Sequence, residues 1–469
     1  VIGRPDTAGY RFRRFLGRNR IGAAAAALVA VTLVGATAVT AWQSSRRATA
    51  LRVAEAERAR ATRITDFLLG IFRATNPNET RGRTVTAREL LDQAAARVRR
   101  DLAADSAALA DMELAIGRAY ALVGLWPTAD SMLARVVEAR RAASPANPLE
   151  IAEALEWHGR IRMTRGRLEE GVAMMREVVA LREQRLGPNA PELAPAYQRI
   201  AMASTQLDPD DTSGVARRHF RRALELLRSA DSVDHRAVAE VLRHLGSITL
   251  DVGDPAEAAA LLREALEAGR KATDEEDPFL FNLKESLALG LKVIGKADSA
   301  IAIHRELLET RRRVFGPEHN DVSFSLYNLG RELGRVGQFE EAIALLTECV
   351  AMRARLFGPE HHLVAYAEGA LGRALARSGD RTGGLARFQR AALISERALG
   401  LANIVTLEYQ EEVALLQVAL GRRDAALATL AGLVARGYRK LDREELRPLA
   451  GDPRFERLRA AGKQTPAAP

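Results

Sequence analysis

Seven glycines, Gly124, Gly166, Gly253, Gly295, Gly337, Gly379 and Gly421, stand 42, 87, 42, 42, 42 and 42 residues apart. The interval of 87 is two periods plus three residues, which predicts a degenerate unit with a short insertion between Gly166 and Gly253. A period of this length points to a solenoid, because each unit can bury its apolar face only by stacking on its neighbours.

Aligned on that glycine, the units show small residues at two further offsets. Seven positions earlier stand Gly117, Gly159, Gly246, Ala288, Gly330, Gly372 and Ala414; five positions later stand Ala129, Gly171, Ala258, Ala300, Ala342, Gly384 and Ala426. Small residues on both sides of a turn glycine let two antiparallel helices approach closely, so each unit is predicted to be a helical hairpin. Several units close on Leu186-Gly187-Pro188, Phe315-Gly316-Pro317-Glu318-His319 or Phe357-Gly358-Pro359-Glu360-His361. There the glycine is expected to end a helix in a left-handed cap, and the proline to prevent its continuation.

This pattern resembles tetratricopeptide repeats in the long-helix form of kinesin-light-chain-like arrays. HEAT and armadillo repeats share the period, but the small-residue ladder and the single short turn favour the tetratricopeptide form. The resemblance implies an all-α fold, a right-handed α-solenoid of about eight repeats over residues 109–437, with the third irregular around Asp208 to Gly214.

The chain has 469 residues, 47% hydrophobic and only 5% aromatic, which suits Ala/Leu helix packing. Its net charge of +9 raises the question of nucleic acid. Six arginines (Arg4, Arg11, Arg13, Arg14, Arg18, Arg20) against Asp6 place much of that excess in a basic juxtamembrane segment, residues 1–20. The remainder interleaves both signs, so no nucleic-acid partner is expected.

Residues 21–42, from Ile21 to Trp42, carry no charge. As a helix they would extend roughly 33 Å, enough for a bilayer core, with Trp42 at the interface. A buried core helix or a signal peptide cleaved near Ala36-Thr37-Ala38 are the alternatives; a transmembrane helix is the reading adopted. Six arginines precede the span and five follow it (Arg46, Arg47, Arg52, Arg58, Arg60), the latter mixed with Glu55 and Glu57. Positive-inside counting leans to a cytoplasmic N-terminus in the inner membrane, with the repeats periplasmic or extracellular.

A second resemblance rests on the segment from Gly3 through Arg4-Pro5-Asp6 and Tyr10-Arg11-Phe12 to Arg20, and on Asp66-Phe67-Leu68-Leu69-Gly70-Ile71-Phe72, Arg81-Gly82-Arg83 and Val85-Thr86-Ala87-Arg88-Glu89-Leu90-Leu91-Asp92. These look like the region after the kinase domain in bacterial serine/threonine kinases with tetratricopeptide sensor regions. The resemblance implies a cytoplasmic kinase N-terminal to Val1, so that this chain is a fragment of a larger polypeptide. ATP and magnesium would belong to that kinase alone, and the resemblance implies activation by homodimerisation through the stalk. Residue by residue, 43–74 is a breaker-free helical stalk, 75–108 a connector in which Thr86 and Glu89 form a capping box, 109–437 the solenoid and 438–469 a C-terminal cap, with Lys463 to Pro469 expected to lack fixed structure.

No Gly-rich phosphate loop, His-Arg-Asp or Asp-Phe-Gly tripeptide occurs, so no catalytic residue and no cofactor is assigned to this chain. Cys349, the single cysteine, falls where other units carry Ala265 and Ala391 and reads as a packing residue. His319 and His361 occupy matching turn positions and read as capping residues rather than metal ligands.

In the repeat family the first helix of each unit lines a concave groove for a protein or peptide ligand. Arg118, Arg160, Arg331 and Arg373 follow the first small residue by one position, and Arg335 and Arg377 by five, with Tyr327, Asn328 and Tyr366 on the same helices. These nine residues are the candidate peptide groove, suited to carboxylates because guanidinium presents paired donors in a fixed fork. The alternative is that the arginines pair with Glu332, Glu368 or neighbouring helices. The expected function is a membrane-anchored interaction solenoid, the sensor or scaffold half of such a kinase. A stand-alone tethered scaffold and a secreted repeat protein are the other readings.

Overall fold

A computed structural model describes residues 86–464, and every element in that range is helical. The segments expected at 1–20, 21–42 and 43–74, and the start of the connector, lie outside the described residues. Among the described residues no helix is long and apolar enough to cross a membrane. The chain divides into two compact units, one ending at Ile161 and the other beginning at Arg162.

The first unit contains α1 (Ala87–Asp101), α2 (Ser106–Leu122), α3 (Trp126–Ala142) and most of α4 (Pro148–Thr164). Helix α1 opens on a reciprocal capping box. The Glu89 N–H donates to Thr86 Oγ1 at 3.2 Å, and the Thr86 N–H to Glu89 Oε2 at 3.0 Å. The Tyr120 hydroxyl of α2 donates to Asp92 of α1 at 2.6 Å, so α1 is tied to the first hairpin by a polar contact as well as by Leu91, Ala94 and Val98.

The second unit runs through α5 (Leu168–Leu186), a short 3-10 turn (Pro191–Leu193), α6 (Ala194–Leu207), α7 (Val215–Arg228), α8 (His235–Asp251), α9 (Pro255–Ala272), α10 (Pro278–Val293) and α11 (Ala297–Phe315). It continues with α12 (Asn320–Val336), α13 (Phe339–Phe357), α14 (His362–Ser378), α15 (Arg381–Leu399), α16 (Ile404–Ala419), α17 (Arg423–Val434), a second 3-10 segment (Glu444–Leu449) and α18 (Pro453–Gln464). Within the first unit α2 and α3 form a hairpin, and within the second, from α6 to α17, the helices alternate as first and second members of successive hairpins.

All seven pulse glycines sit between two consecutive helices at positive φ. Gly337, at φ 90° and ψ 6°, ends α12 in a left-handed cap, where a side chain would be strained. The small residue seven positions earlier has a different purpose. A Cβ on Gly117 would lie 3.0 Å from Leu133, on Gly246 2.8 Å from Leu262, and on Gly372 3.0 Å from Phe388. In each case the large residue lies nine positions after the turn glycine, so one bulky side chain of the second helix fills the notch in the first.

The degenerate third hairpin keeps this register. Counting back 42 from Gly253 reaches Asp211, which has φ 44° and is the one described non-glycine residue at positive φ. Its buried carboxylate accepts from the Ala216 N–H at 3.0 Å and from Arg217 Nε at 2.7 Å, holding the start of α7. Asp can occupy this region because its short polar side chain bonds locally. Ala216 and Phe220 then occupy the small and bulky positions, both fully buried.

One expectation is corrected. Gly187, Gly316 and Gly358 have positive φ but ψ of 163°, 168° and 153°, an extended conformation open essentially to glycine, not a left-handed cap. A following proline disfavours helical ψ in the residue before it. Gly400 has the same conformation before Leu401, so the geometry between hairpins also requires it.

A further periodic position carries arginine. Sixteen residues after the turn glycine stand Arg140, Arg182, Arg311 and Arg353. Arg140, Arg182 and Arg353 each donate to the backbone carbonyl ten residues on, Glu150 at 2.5 Å, Glu192 at 2.9 Å and Leu363 at 2.9 Å. The guanidinium thus clasps the end of one hairpin to the start of the next. Arg140 and Arg311 also pair with carboxylates, Asp111 and Glu285, while Arg353 lies over Tyr327 and Phe324.

The C-terminal end is covered as a solenoid end must be. Leu446, Leu449 and Phe455 bury against Leu427, Leu430 and Leu433 of α17. Helix α18 includes Lys463 and Gln464, so fixed structure extends further than the sequence suggests; 465–469 lie outside the described residues.

Candidate peptide groove

Side chains of α10, α12, α14 and α16, the first helices of four successive hairpins, enclose a cavity of about 360 Å³. Lys292, Arg331, Arg335, Arg373 and Arg377 line it, against the carboxylates Glu332 and Glu408. Tyr327, Tyr366 and Tyr409 supply its aromatic surface. The small residues Gly330, Gly334, Gly369 and Ala370 form part of its wall.

The arginines divide by partner. Arg335 pairs with Glu332 at 2.9 Å and Arg373 with Glu412 at 3.1 Å. Arg331 lies over the Tyr327 ring at 5.2 Å, and Arg377 over Phe339 at 5.9 Å with one donation to the Arg335 carbonyl at 3.4 Å. Neither makes an ion pair among the described residues. Glu368, a candidate partner by sequence, is fully buried and pairs instead with Arg387 at 3.2 Å and Arg390 at 3.1 Å.

A second cavity, of about 230 Å³, adjoins the first and shares Lys292, Arg331 and Glu332 with it. Asn328 lines this chamber and not the larger one, together with Glu285 and His304. Burial pushes the His304 pKa down, so its ring is neutral at pH 7. Lys292, His304 and Tyr409 escape a sequence reading confined to positions one and five beyond the small residue.

Arg118 and Arg160 belong to the first unit and are described apart from the groove. Their guanidinium groups lie 4.8 Å and 4.1 Å from the Trp157 ring, and Arg118 also pairs with Glu153 at 2.6 Å. Trp157, which no repeat position singles out in the sequence, is the aromatic platform of that pair.

The remaining chemical candidates have structural roles. His319 and His361 cap α12 and α14, their Nδ1 atoms accepting from the N–H groups of Asp321 and Leu363 while the rings stack on Phe315 and Phe357. Cys349 is buried, donates to the Ser323 carbonyl at 3.3 Å, and has its thiol pushed up to about 11 by burial. Among the described residues no group of three or more His, Cys, Asp or Glu is placed to hold a metal.

The tetratricopeptide repeat family model matches residues 215–271 and 280–355, from α7 through most of α13. The described residues form a tetratricopeptide-like all-α solenoid. No curated protein matches the chain. Among solved structures, the apo form of the quorum sensor NprR from B. thuringiensis is 14% identical, with 81% of this chain and 99% of that one covered and a TM-score of 0.54. Apo RapI is 10% identical over 78% of this chain and 99% of its own, with a TM-score of 0.52. A kinesin-light-chain-like protein from Podosopora anserina, with nearly identical repeats, is 22% identical over 44% of this chain and 97% of its own, with a TM-score of 0.40. At these identities the first two likenesses bear on fold alone.

Proposed function

We propose that this chain is a protein- and peptide-binding solenoid that holds an acidic segment of a partner in the groove formed by α10, α12, α14 and α16. The observation that carries this reading is the charge of the cavity: five cationic side chains face two carboxylates, and Arg331 and Arg377 have no ion pair of their own among the described residues. A guanidinium held over an aromatic ring is oriented in advance, so less freedom is lost when a carboxylate docks. The three tyrosines add flat surface for the ligand's aliphatic parts.

The wider setting follows from the sequence resemblance. Residues 21–42 anchor the chain in the inner membrane with the repeats outside the cytoplasm, and the parent polypeptide is a serine/threonine kinase that uses ATP and magnesium in an upstream domain and dimerises through the stalk. Two observations test that setting: the reading frame upstream of Val1, and protease accessibility of the repeats in intact spheroplasts.

The groove itself is tested by fluorescence anisotropy on the full chain in detergent, with a labelled Glu-rich peptide and a Ser/Gly control. The Glu-rich peptide should bind with an affinity that falls steeply with salt. Replacing Arg331 and Arg377 together by Ala should weaken it at least tenfold without altering thermal unfolding. Equal binding of both peptides, or wild-type affinity in the double variant, would sink the reading.

A further inference from the structure

The bulky position nine residues after the turn glycine is Leu133, Leu262, Leu346 and Leu430 in four hairpins and Met175, Phe220 or Phe388 in three others. In the fifth hairpin it is His304. His304 is only 8% exposed, yet it makes no hydrogen bond or ion pair among the described residues, and its ring lines the 230 Å³ chamber. Its ring nitrogens are not among the sealed unpartnered atoms, so they open onto the chamber, where the same register elsewhere in the chain holds leucine. The side chain is therefore aimed at something that arrives from the groove.

The chamber's other groups narrow what arrives. Asn328, half-buried on α12, likewise has no side-chain hydrogen bond among the described residues. Glu285 is held by Arg311 at 2.7 Å, and Glu332 by Arg335 at 2.9 Å and Lys292 at 3.5 Å. These ion pairs engage both carboxylates, so neither is left to accept from a ligand, and Arg331 stays without an ion pair among the described residues. A buried imidazole kept neutral at pH 7 offers one donor and one acceptor, and the Asn328 amide offers both as well. A cationic side chain entering here would meet Lys292 and Arg331, and a carboxylate, which only accepts, would leave the acceptors of His304 and Asn328 unmet. An apolar one would leave His304 and Asn328 unpaired. The volume admits a side chain rather than a single water.

Resting on the groove reading above, we propose that the chamber formed by His304 and Asn328 is a specificity subsite for a primary carboxamide, a glutamine or asparagine side chain flanking the acidic segment of the bound peptide. The carboxamide donates to one of the two free acceptors and accepts from one of the two free donors, while the acidic residues beside it lie along Arg331 and Arg377.

The test is a set of labelled peptides with a fixed run of four glutamates, in which one residue is walked through the three positions on either side as Gln, Leu, Ser or Glu. Affinities are measured on the full chain in detergent. One register should prefer Gln over Leu and over Glu by roughly tenfold, the scale of one or two net hydrogen bonds. In His304→Leu, which restores the side chain found in four other hairpins, that preference should fall to within twofold. The plain glutamate peptide, measured on the same variant, is the reference against which that preference is scored. Asn328→Ala should lose the same preference independently. Acidic peptides that bind with no Gln preference at any register, or a preference unchanged in His304→Leu, would overturn the subsite and leave the groove standing. Absence of binding by every acidic peptide would overturn the groove, and the subsite with it.

Discussion

Leu346 of α13 packs into the notch left by Gly330 of α12, where a Cβ would stand 2.7 Å from Leu346 Cγ. That Cβ would also meet the Ala342 carbonyl at 3.4 Å, so it would press on the backbone of the second helix as well as on the leucine. Gly330→Ala should therefore lose stability although alanine is the better helix former: overpacking costs about 1–3 kcal/mol and helix propensity returns at most about 1 kcal/mol. In a Leu346→Ala background the same substitution should cost nothing or stabilise. Urea midpoints of the four proteins measure the coupling. Additive effects would mean that Leu346 is not what holds Gly330 to glycine.

The acid limit of the fold should depend on His244. Its ring stacks on Phe220 at 5.7 Å, its Nε2 accepts from Arg243 at 3.0 Å, and burial with the nearby guanidinium pushes its pKa down to about 4. The unfolded chain takes up this proton near pH 6.5 while the folded chain refuses it until about pH 4. Stability is thus full above pH 6.5 and falls as the pH drops through that window, by up to about 3 kcal/mol. His244→Phe removes the titration and keeps an aromatic ring against Phe220. Its urea midpoint should change less between pH 7 and pH 4.5 than the wild type's. Parallel curves would assign the acid loss elsewhere, for example to His304, whose pKa is also lowered by burial.

The hairpins were legible in the sequence because their turns need a backbone conformation that glycine alone adopts freely, so Gly124 to Gly421 keep time along the chain. Asp211 hid the third turn by reaching positive φ with another residue and compensating with its own carboxylate. The groove was half legible. Arg331, Arg335, Tyr366 and Arg377 share a face by helical periodicity, but whether an arginine is free or paired depends on carboxylates from other helices. Glu412 claims Arg373, and Arg387 with Arg390 takes Glu368 away from the groove. His304 escaped notice because it belongs to a second helix, and its meaning rests on the leucines of other units rather than on its own neighbours in sequence.

Arg353 joins the repeat architecture to the groove, and replacing it should separate charge from packing. It is 1% exposed, donates to the Leu363 carbonyl at 2.9 Å and to Ser323 Oγ at 3.3 Å, and lies 4.7 Å from the ring of Tyr327, which lines the groove. No carboxylate pairs with it among the described residues, and burial pushes its pKa down, so its charge is held by neutral acceptors and ring faces. Arg353→Ala opens a cavity and frees the Leu363 carbonyl, and should cost about 3 kcal/mol or more. Arg353→Met fills the same space without a buried charge and should cost less than about 1.5 kcal/mol, since removing the desolvation penalty offsets the lost hydrogen bonds. Chemical denaturation gives both values. Met should nevertheless weaken the Glu-rich peptide severalfold by loosening Tyr327, a separation of binding from stability. If Met proves as damaging to stability as Ala, the guanidinium's hydrogen bonds, and not the volume it fills, hold this junction together.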